Sequence, residues 1–264
     1  MRLSGLYLHP VKSTAPLPVQ EAQAEPRGLR HDRRWMVVDA QGRFLTGRQL
    51  PQLTLVRALP GKDGLKLQAP GMPSLSVAWP LASTSVPVNV WNSEVEARPV
   101  AAEADEWLSE FLQRPARLVH MDEGVIRPMA DKQAQPGDEV SFADAFPLLL
   151  VSQAALDALN ARLVRPVSML QFRPNLVVDG VPAHAEDSWR RIRIGEVEFE
   201  VAKPCVRCVF TTVDPSCGQR DPAGEPLRTL VGYRRGADGV TFGQNLIARA
   251  YGKIRVGDRV EVLD

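Results

Sequence analysis

The first hundred residues consist mostly of short segments in which apolar residues alternate with polar ones, separated by turns that contain glycine or proline. Alternation with a period of two is typical of β-strands that bury one face. The turn Ala40-Gln41-Gly42 is expected to join the two strands of a β-hairpin. The pattern predicts strands over Leu3–His9, Trp35–Asp39, Arg43–Thr46, Leu53–Leu59, Leu65–Gln68, Leu75–Trp79, Val86–Trp91 and Val95–Val100.

In two places the pattern changes to the period of a helix. The first is EADEWLSEFLQRP, which Pro115 ends and whose apolar face consists of Trp107, Leu108, Phe111 and Leu112. The second is Gln153–Leu163, where Ser152 is placed to cap the helix. Its inward residues are Ala155, Leu156, Leu159 and Leu163.

The rest of the second half again has the pattern of β-structure. The predicted strands are Val119–Met121, Asn175–Val178, Arg191–Ile194 and Glu196–Ala202. The C-terminal KIRVGDRVEVLD predicts a hairpin that turns at Gly257-Asp258, and the polar, proline-broken residues 122–139 predict a long loop. We therefore predict a mainly β protein with a few helices (α+β). A boundary near residues 115–120 gives two domains, 1–117 and 118–264.

The composition excludes several classes of protein. Of 264 residues, 44% are apolar and 24% charged, and the formal net charge of +1 does not indicate binding to a nucleic acid polymer. The start, MRLSGLYLHPVKS, lacks the apolar core of a signal peptide, and no apolar run reaches the length of a membrane helix. Together with three cysteines, an odd number, these features predict a cytoplasmic protein with free thiols and no membrane partner.

Two of the three cysteines, Cys205 and Cys208, stand close together in PCVRCVFTTVDP. They could ligate a metal, form a redox disulfide, supply half a zinc site or simply be buried. Zinc is weakly supported, because the four histidines are scattered and Cys217 stands alone. A redox dithiol would open a helix, whereas the β-branched residues after Cys208 predict extended chain. Three cysteines cannot complete a [2Fe–2S] cluster, but Arg207 beside them would favour a metal-binding thiolate.

Several basic residues occur at strand ends, although the chain has almost no net charge. Lys12 and Ser13 follow the first strand in HPVKS and could present an ammonium and a hydroxyl group to a phosphate. GLRHDRRW contributes Arg33, TGRQ contributes Arg48, and FRPN contributes Arg173. A solvated surface position is the alternative for each residue, but together they indicate one anionic ligand in a pocket.

Taken together, these motifs resemble the MOSC-domain proteins, and specifically the branch that contains the mitochondrial amidoxime-reducing component and its bacterial relatives. HPVKS, GLRHDRRW, TGRQ, FRPNLVV, AEDSW, PCVRCVFTTVDP with GEPLRTL, and FGQN–VGD occur in the family's order from about residue 2 to residue 263. The resemblance implies an N-terminal β-barrel-type domain followed by a MOSC β-barrel domain. It also implies a molybdenum cofactor, a pterin whose dithiolene holds the metal and whose phosphate needs cations.

The resemblance further implies roles for individual residues. Cys208 matches the cysteine that completes the metal's sulfur ligands, which leaves Cys205 a supporting or structural role. The implied cofactor-binding residues are Lys12, Ser13, Arg33, Arg48, Arg173, Arg207 and Asn245. The chain departs from the animal members at a Thr-Ser pair, a tyrosine and a serine, which are replaced by Ala145-Phe146, Asn245 and Val206.

The implied function is a molybdenum-dependent reductase that converts N–OH to N–H in hydroxylamines, amidoximes and N-hydroxylated bases. Asp214 is a candidate proton donor, with an ordinary turn position before Pro215 as the alternative. No ferredoxin-like domain follows VEVLD, so a separate electron donor of the ferredoxin or flavoprotein type is expected. Two alternatives stay open: a cofactor carrier or sulfur-transfer protein without reductase turnover, and a zinc-bound or metal-free barrel.

Overall fold

The computed structural model describes residues 1–80 and 84–264, and within them the chain is mainly β. The strands are β1 (Arg2–Leu8), β2 (Leu17–Pro18), β3 (Glu21–Glu25), β4 (Gly28–Leu29), β5 (Trp35–Val38), β6 (Arg57–Gly61), β7 (Gly64–Gln68), β8 (Leu75–Ala78), β9 (Val86–Val90), β10 (Ser93–Pro99), β11 (Arg117–His120), β12 (Leu148–Ser152), β13 (Leu176–Asp179), β14 (Arg191–Ile194), β15 (Val197–Val206), β16 (Val213–Asp214), β17 (Gln219–Arg220), β18 (Arg235–Gly236), β19 (Gly239–Ala248), β20 (Gly252–Arg255) and β21 (Val260–Val262). The α-helices of the described chain are α1 (Ala102–Leu112), α2 (Gln153–Asn160) and α3 (Leu227–Arg234). Short 3₁₀ helices occupy Pro51–Leu55, Met169–Phe172, Ala185–Ser188 and Val209–Thr212. The predicted fold class, mainly β with a few helices, is confirmed.

The strands form one large sheet and several small ones, which curl into half-barrels. In the described chain the large sheet has the order β2-β1-β13-β12-β19-β15-β14-β21, with β18 attached to β19. The smaller sheets are β5-β11-β10-β9, β6-β7-β8, β20-β3-β4 and the pair β16-β17. Strands β12 and β13 are parallel, which the intervening helix α2 permits because parallel neighbours need a crossover connection.

The N-terminal strand belongs to the sheet that the second half of the chain builds. Strand β1 pairs with β13, with Leu3 opposite Val178. Leu3 and Leu6 are buried in the same apolar cluster as Phe199. A second apolar cluster lies among residues 11–118. Strand β1 therefore brings the segment that follows it to the large sheet, beside which the candidate site lies. The domain boundary near residues 115–120 stays a prediction.

Both predicted helices are present, and local sequence explains their ends. Helix α1 stops where Gln113 takes a left-handed backbone conformation (φ 53°). The Oγ atom of Ser152 accepts a hydrogen bond from the N–H of Ala155 and so caps α2. Helix α2 ends at Asn160, three residues before the predicted end, and α3 was not predicted. None of the helices in the described chain has the length and apolar character that crossing a membrane requires.

The predicted C-terminal hairpin is wrong. The chain does turn at Gly257-Asp258, where the Asp258 carboxylate accepts the N–H of Arg255 (2.7 Å). The two strands beside the turn then separate: β20 pairs with β3, and β21 pairs with β14. Ile254 and Val260 are both buried in the core of the large sheet, so tertiary packing decides the pairing, and the turn alone does not.

Two other predicted extended segments are partly helical. Residues 53–55 of the predicted strand Leu53–Leu59 belong to a 3₁₀ helix that starts at Pro51, a residue whose fixed φ suits a first helical position. The extended chain predicted after Cys208 begins only at Val213 in β16 and is wrong over Val209–Thr212, which is a 3₁₀ helix. Its threonine hydroxyl groups explain this, because Thr211 Oγ1 donates to the carbonyl of Cys208 (2.9 Å) and so satisfies the turn locally.

The predicted hairpin after Trp35 forms only in part. Asp39 N donates to the carbonyl of Arg43 (2.9 Å), so the turn exists. The returning segment makes only isolated bridges, Phe44 opposite Val38 and Arg43 opposite Asn89, and no regular strand. It leads instead into the TGRQ segment, which carries Arg48.

Candidate functional site

A single cavity of about 350 Å³ brings together all of the predicted site residues except Asp214. These lining residues are Lys12, Ser13, Arg33, Arg48, Arg173, Arg207, Cys208 and Asn245. They lie in distant parts of the sequence and meet because β1, β13, β12, β19 and β15 are neighbours in the large sheet. Lys12 and Ser13 follow β1, Asn245 lies on β19, and Cys208 follows the end of β15.

Three guanidinium groups, those of Arg33, Arg173 and Arg207, form what we call the arginine cluster. Arg33 is paired with the buried carboxylate of Asp32, and its Nη2 donates to the carbonyl of Arg173 (3.5 Å). Nη1 of Arg173 donates to the carbonyl of Thr14 (2.6 Å). These bonds fix the direction in which the cluster presents its charge to the cavity.

Part of the hydrogen-bonding capacity of the arginine cluster is unused. Arg173 Nη2 and Arg207 Nε are buried and have no hydrogen-bond partner among the described residues. Burial, together with the neighbouring charges of Arg33 and Arg207, lowers the pKa of Arg173 to about 9. Because buried unpaired donors on a cation are costly, this cluster is arranged to receive an anion.

Another part of the cavity wall is an ion-pair arrangement around Asp144, which we call the Asp144 network. Its carboxylate accepts hydrogen bonds from Lys12 Nζ, Arg48 Nη2 (2.8 Å) and Trp91 Nε1 (3.1 Å). Partial burial alone would raise the pKa of Asp144, but Lys12 and Arg48 hold that pKa well below its usual range. Burial lowers the pKa of Lys12, and the nearby Asp144 carboxylate opposes that effect.

Each of the two close cysteines is hydrogen-bonded to a different arginine. Arg48 Nε donates to Cys208 Sγ (3.3 Å), and Arg207 Nη1 donates to Cys205 Sγ (3.0 Å). Both cysteines are free thiols and both line the cavity. The arginine between them in sequence thus contacts Cys205, and the cation beside Cys208 is Arg48, 160 positions away.

Three residues of the site hold left-handed backbone conformations. They are Ser13 (φ 70°), Arg33 (φ 51°) and Arg173 (φ 56°). Residues other than glycine in this region carry a strain of roughly 1–3 kcal/mol, and such residues concentrate at functional sites. The surrounding hydrogen bonds hold them there, for example Arg33 N to the carbonyl of His9 (2.8 Å).

The residues of the cavity fit an anionic group that carries a soft metal. The lining of the cavity includes one carboxylate, that of Asp144, and six basic side chains: Lys12, Arg33, Arg48, Arg173, Lys203 and Arg207. Cys208 offers a sulfur ligand, which suits a soft metal. Among the described residues no group of three or more His, Cys, Asp or Glu side chains could hold a metal ion. A metal at Cys208 would therefore need to bring most of its ligands with it, as a dithiolene-bound metal does, and a self-contained zinc site has no support.

Asp214 lies outside the cavity. Its exposed carboxylate accepts hydrogen bonds from Ser216 N (2.8 Å) and Ser216 Oγ (2.7 Å), in the turn that follows β16. This is the arrangement of an ordinary turn aspartate. A proton from Asp214 would have to reach the cavity through solvent, and its role as a donor stays a prediction.

Sequence reasoning missed Asp144 and Trp91. Asp144 was not part of any motif, and Trp91 appeared only as the end of a predicted strand. Their partner Arg48 is 96 residues from Asp144, so no local pattern marked the contact. A lone aspartate between Ala143 and Ala145, at the end of a long loop, was the one available signal.

Comparisons with known proteins agree over nearly the whole chain. Residues 1–115 match the family model for the MOSC N-terminal beta barrel domain, and residues 137–261 match the MOSC domain. The chain is similar to mitochondrial amidoxime-reducing component 1 of Mus musculus, with 37% identity over 280 residues, 99% of this chain and 82% of the relative. The protein of the same name in Homo sapiens is 36% identical over 280 residues, with the same coverage of both chains. The one in Xenopus laevis is 35% identical over 278 residues, 98% of this chain and 81% of the relative.

Proposed function

Because this chain belongs to the MOSC-domain family of the mitochondrial amidoxime-reducing components, we propose that it is a molybdenum-cofactor-dependent reductase of N-hydroxylated compounds. Its substrates are hydroxylamines, amidoximes and N-hydroxylated bases. Each turnover takes two electrons and two protons, breaks the N–O bond and yields an N–H group and water. The electrons come from a separate protein of the ferredoxin or flavoprotein type.

The observation that carries this proposal is the position of Cys208 in a cavity whose charged side chains are mainly cations. A soft thiolate beside an excess of guanidinium groups suits a group that combines a soft metal with a phosphate. When bound, the molybdenum cofactor supplies the exchange of two electrons with the substrate. The unpartnered donors of Arg173 and Arg207 are the groups that a phosphate or another anionic part of the cofactor would satisfy.

The chain's own residues bind the cofactor and orient its cysteine ligand. The arginine cluster holds the anionic end of the cofactor, with Lys12 and Ser13 beside it. Arg48 donates a hydrogen bond to the Sγ atom of Cys208, and Asp144 holds Arg48 in that position. Such supporting hydrogen bonds fix the orientation of a metal ligand and tune its donor strength.

The test is the cofactor content of the protein produced in a host that makes the cofactor. Molybdenum is measured by elemental analysis and pterin by oxidation to its fluorescent form, in the wild type and in Cys208→Ala. The matched control is Cys217→Ala, because Cys217 is exposed and does not line the cavity. We expect near-stoichiometric molybdenum and pterin in the wild type and in the control. Cys208→Ala should lose hydroxylamine-reducing activity by more than about 100-fold with a chemical reductant as electron source.

Other outcomes identify other functions. Wild-type turnover by Cys208→Ala would refute the assignment of that residue. Stoichiometric cofactor that passes to an apo-enzyme without any reduction of N-hydroxylated compounds would indicate a carrier. Absence of molybdenum and pterin from the wild type would refute the reductase proposal.

A further inference from the structure

A second cavity lies beside the first. Its volume is about 560 Å³, and its lining includes Asp39, Phe44, Gln49, Asn89, Trp91 and Arg114. Trp91 separates the two cavities, because its contacts Arg48 and Asp144 line the first one. No motif of the sequence indicated this second cavity.

The indole ring of Trp91 is close to the reactive end of the site. The Cζ atom of Arg48 lies 4.5 Å from the ring centroid, and Arg48 Nε lies 3.3 Å from Cys208 Sγ. The ring centroid is therefore within about 9 Å of that sulfur. Trp91 also contacts Phe44, with ring centroids 5.0 Å apart and the planes tilted by 59°.

The backbone of Trp91 is unusual for so large a residue. Trp91 follows β9 in a two-residue turn, since Val90 pairs with Ser93. Its φ angle of 54° lies in the region that favours glycine and asparagine. The residue is nevertheless 45% exposed, so burial in a core does not account for this conformation. Strain of this kind, next to a candidate site, points to a functional role.

We propose that Trp91 and Phe44 form a subsite for a flat aromatic group in the non-reacting part of the substrate, so that Trp91 sets a preference for aryl over small alkyl N-hydroxylated compounds. The inference rests on the proposed reductase function. Tilted aromatic rings provide the offset and edge-to-face contacts that a third ring prefers. The amide side chains of Gln49 and Asn89 line the same cavity and can bond polar groups at the ring's edge.

The residues that line the two cavities support this division. The first cavity, about 350 Å³, holds the arginine cluster and Cys208 and is the place of the cofactor. A substrate whose N–OH group reaches past Arg48 toward Cys208 leaves its remaining part on the side of Trp91. A methyl group there would reach little of the aromatic surface, whereas a phenyl ring would cover it.

The kinetic test compares benzamidoxime with acetamidoxime, which share the reacting group and differ by phenyl against methyl. In Trp91→Ala the ratio of their kcat/KM values should fall about tenfold, mainly through the KM of benzamidoxime. In Trp91→Phe, which keeps an aromatic ring, this ratio should fall by less than about threefold. Any displacement of Arg48 acts on both substrates and cancels in the ratio. The control is Tyr251→Ala, an exposed aromatic outside both cavities, which should leave the ratio unchanged. A wild-type ratio in Trp91→Ala would overturn the inference.

A binding test separates this inference from the proposed function. Cofactor-free protein is titrated with benzamidoxime while tryptophan fluorescence is recorded for the wild type and for Trp91→Phe. We expect saturable quenching in the wild type that is absent from Trp91→Phe, and none with acetamidoxime. Equal quenching in both proteins, or none in either, would overturn the subsite. Failure to reduce either compound would refute the reductase proposal, and the titration would still decide the subsite.

Discussion

The arginine cluster and the Asp144 network line the same cavity but handle charge differently. In the cluster, Arg173 Nη2 and Arg207 Nε are buried without a hydrogen-bond partner among the described residues. In the network, the carboxylate of Asp144 already accepts hydrogen bonds from Lys12 and Arg48. The arginine cluster therefore has unpaired hydrogen-bond donors, whereas the cations of the Asp144 network are already paired with an acceptor.

This difference shows that cations lining the same cavity can have different functions. A cluster with unsatisfied buried donors gains most when an anion arrives, because the desolvation cost of the charges is already present in the protein alone. A network with its acceptors in place gains little from a new anion and instead fixes side-chain directions. We therefore assign binding to the arginine cluster and orientation to the Asp144 network.

The largest effect should come from removing a charge of the arginine cluster. In Arg173→Gln we expect cofactor retention to fall by about tenfold or more, because a charge-assisted hydrogen bond contributes roughly 1.5–3 kcal/mol. Molybdenum and pterin per chain after gel filtration measure this. The control Arg165→Gln removes an arginine whose side chain is 79% exposed and should retain the cofactor. Full retention in Arg173→Gln would show that the anion is held elsewhere.

A smaller effect of a different kind is expected for Arg48→Lys. Lysine keeps the charge but has one nitrogen, so it cannot bond Asp144 and Cys208 in the forked geometry of a guanidinium group. We expect kcat to fall about tenfold, with cofactor content close to that of the wild type. The control is Arg30→Lys, a position 61% exposed on the surface. Lost cofactor with unchanged kcat in the remaining loaded protein would reverse the assignment of the two regions.

The arginine cluster and the Asp144 network also differ in which of their residues the sequence motifs predicted. Arg33, Arg173 and Arg207 each stand in a motif, and the structure brings all three to one cavity. Asp144 and Trp91 stand in none, because their role comes from contacts with residues that are distant in the chain. A motif marks a residue, whereas a hydrogen bond across 96 positions becomes visible only when the chain is folded.

Prediction of the fold from sequence has the same limit, because contacts between distant residues are not visible in local patterns. Local alternation predicted β7 and β14 well, because a half-buried strand carries its own pattern. The C-terminal hairpin was wrong since β20 and β21 have adjacent sequences but partners in different sheets. The helix at Val209–Thr212 was missed since threonine hydroxyl groups outweighed the β-propensity of that segment. Element type is largely local, but pairing depends on the whole core.

The smallest effect should be the pH-dependent stability contributed by Asp144, the centre of its network. Partial burial raises the pKa of Asp144, but Lys12 and Arg48 lower it by more, so the folded pKa lies below the ordinary value of 3.8. A carboxyl group whose pKa is lower in the folded protein contributes its full stabilisation of the fold at a pH above the pKa of the unfolded state. This contribution is lost as the pH falls through the pKa of the folded state. We expect cofactor-free wild type to exceed Asp144→Asn by about 1 kcal/mol in unfolding free energy at pH 7, as for partly exposed ion pairs.

The gap between wild type and Asp144→Asn should narrow as the pH falls below about 4, and urea unfolding at pH 7, 5 and 3.5 measures it. The control Asp179→Asn changes a carboxylate that meets Arg2 only at 4.0 Å, and it should show a small difference at every pH. A gap that stays constant on acidification would mean that Lys12 and Arg48 do not hold the charge of Asp144. In that case the Asp144 network would not orient Arg48, and it would differ from the arginine cluster only in the burial of its side chains.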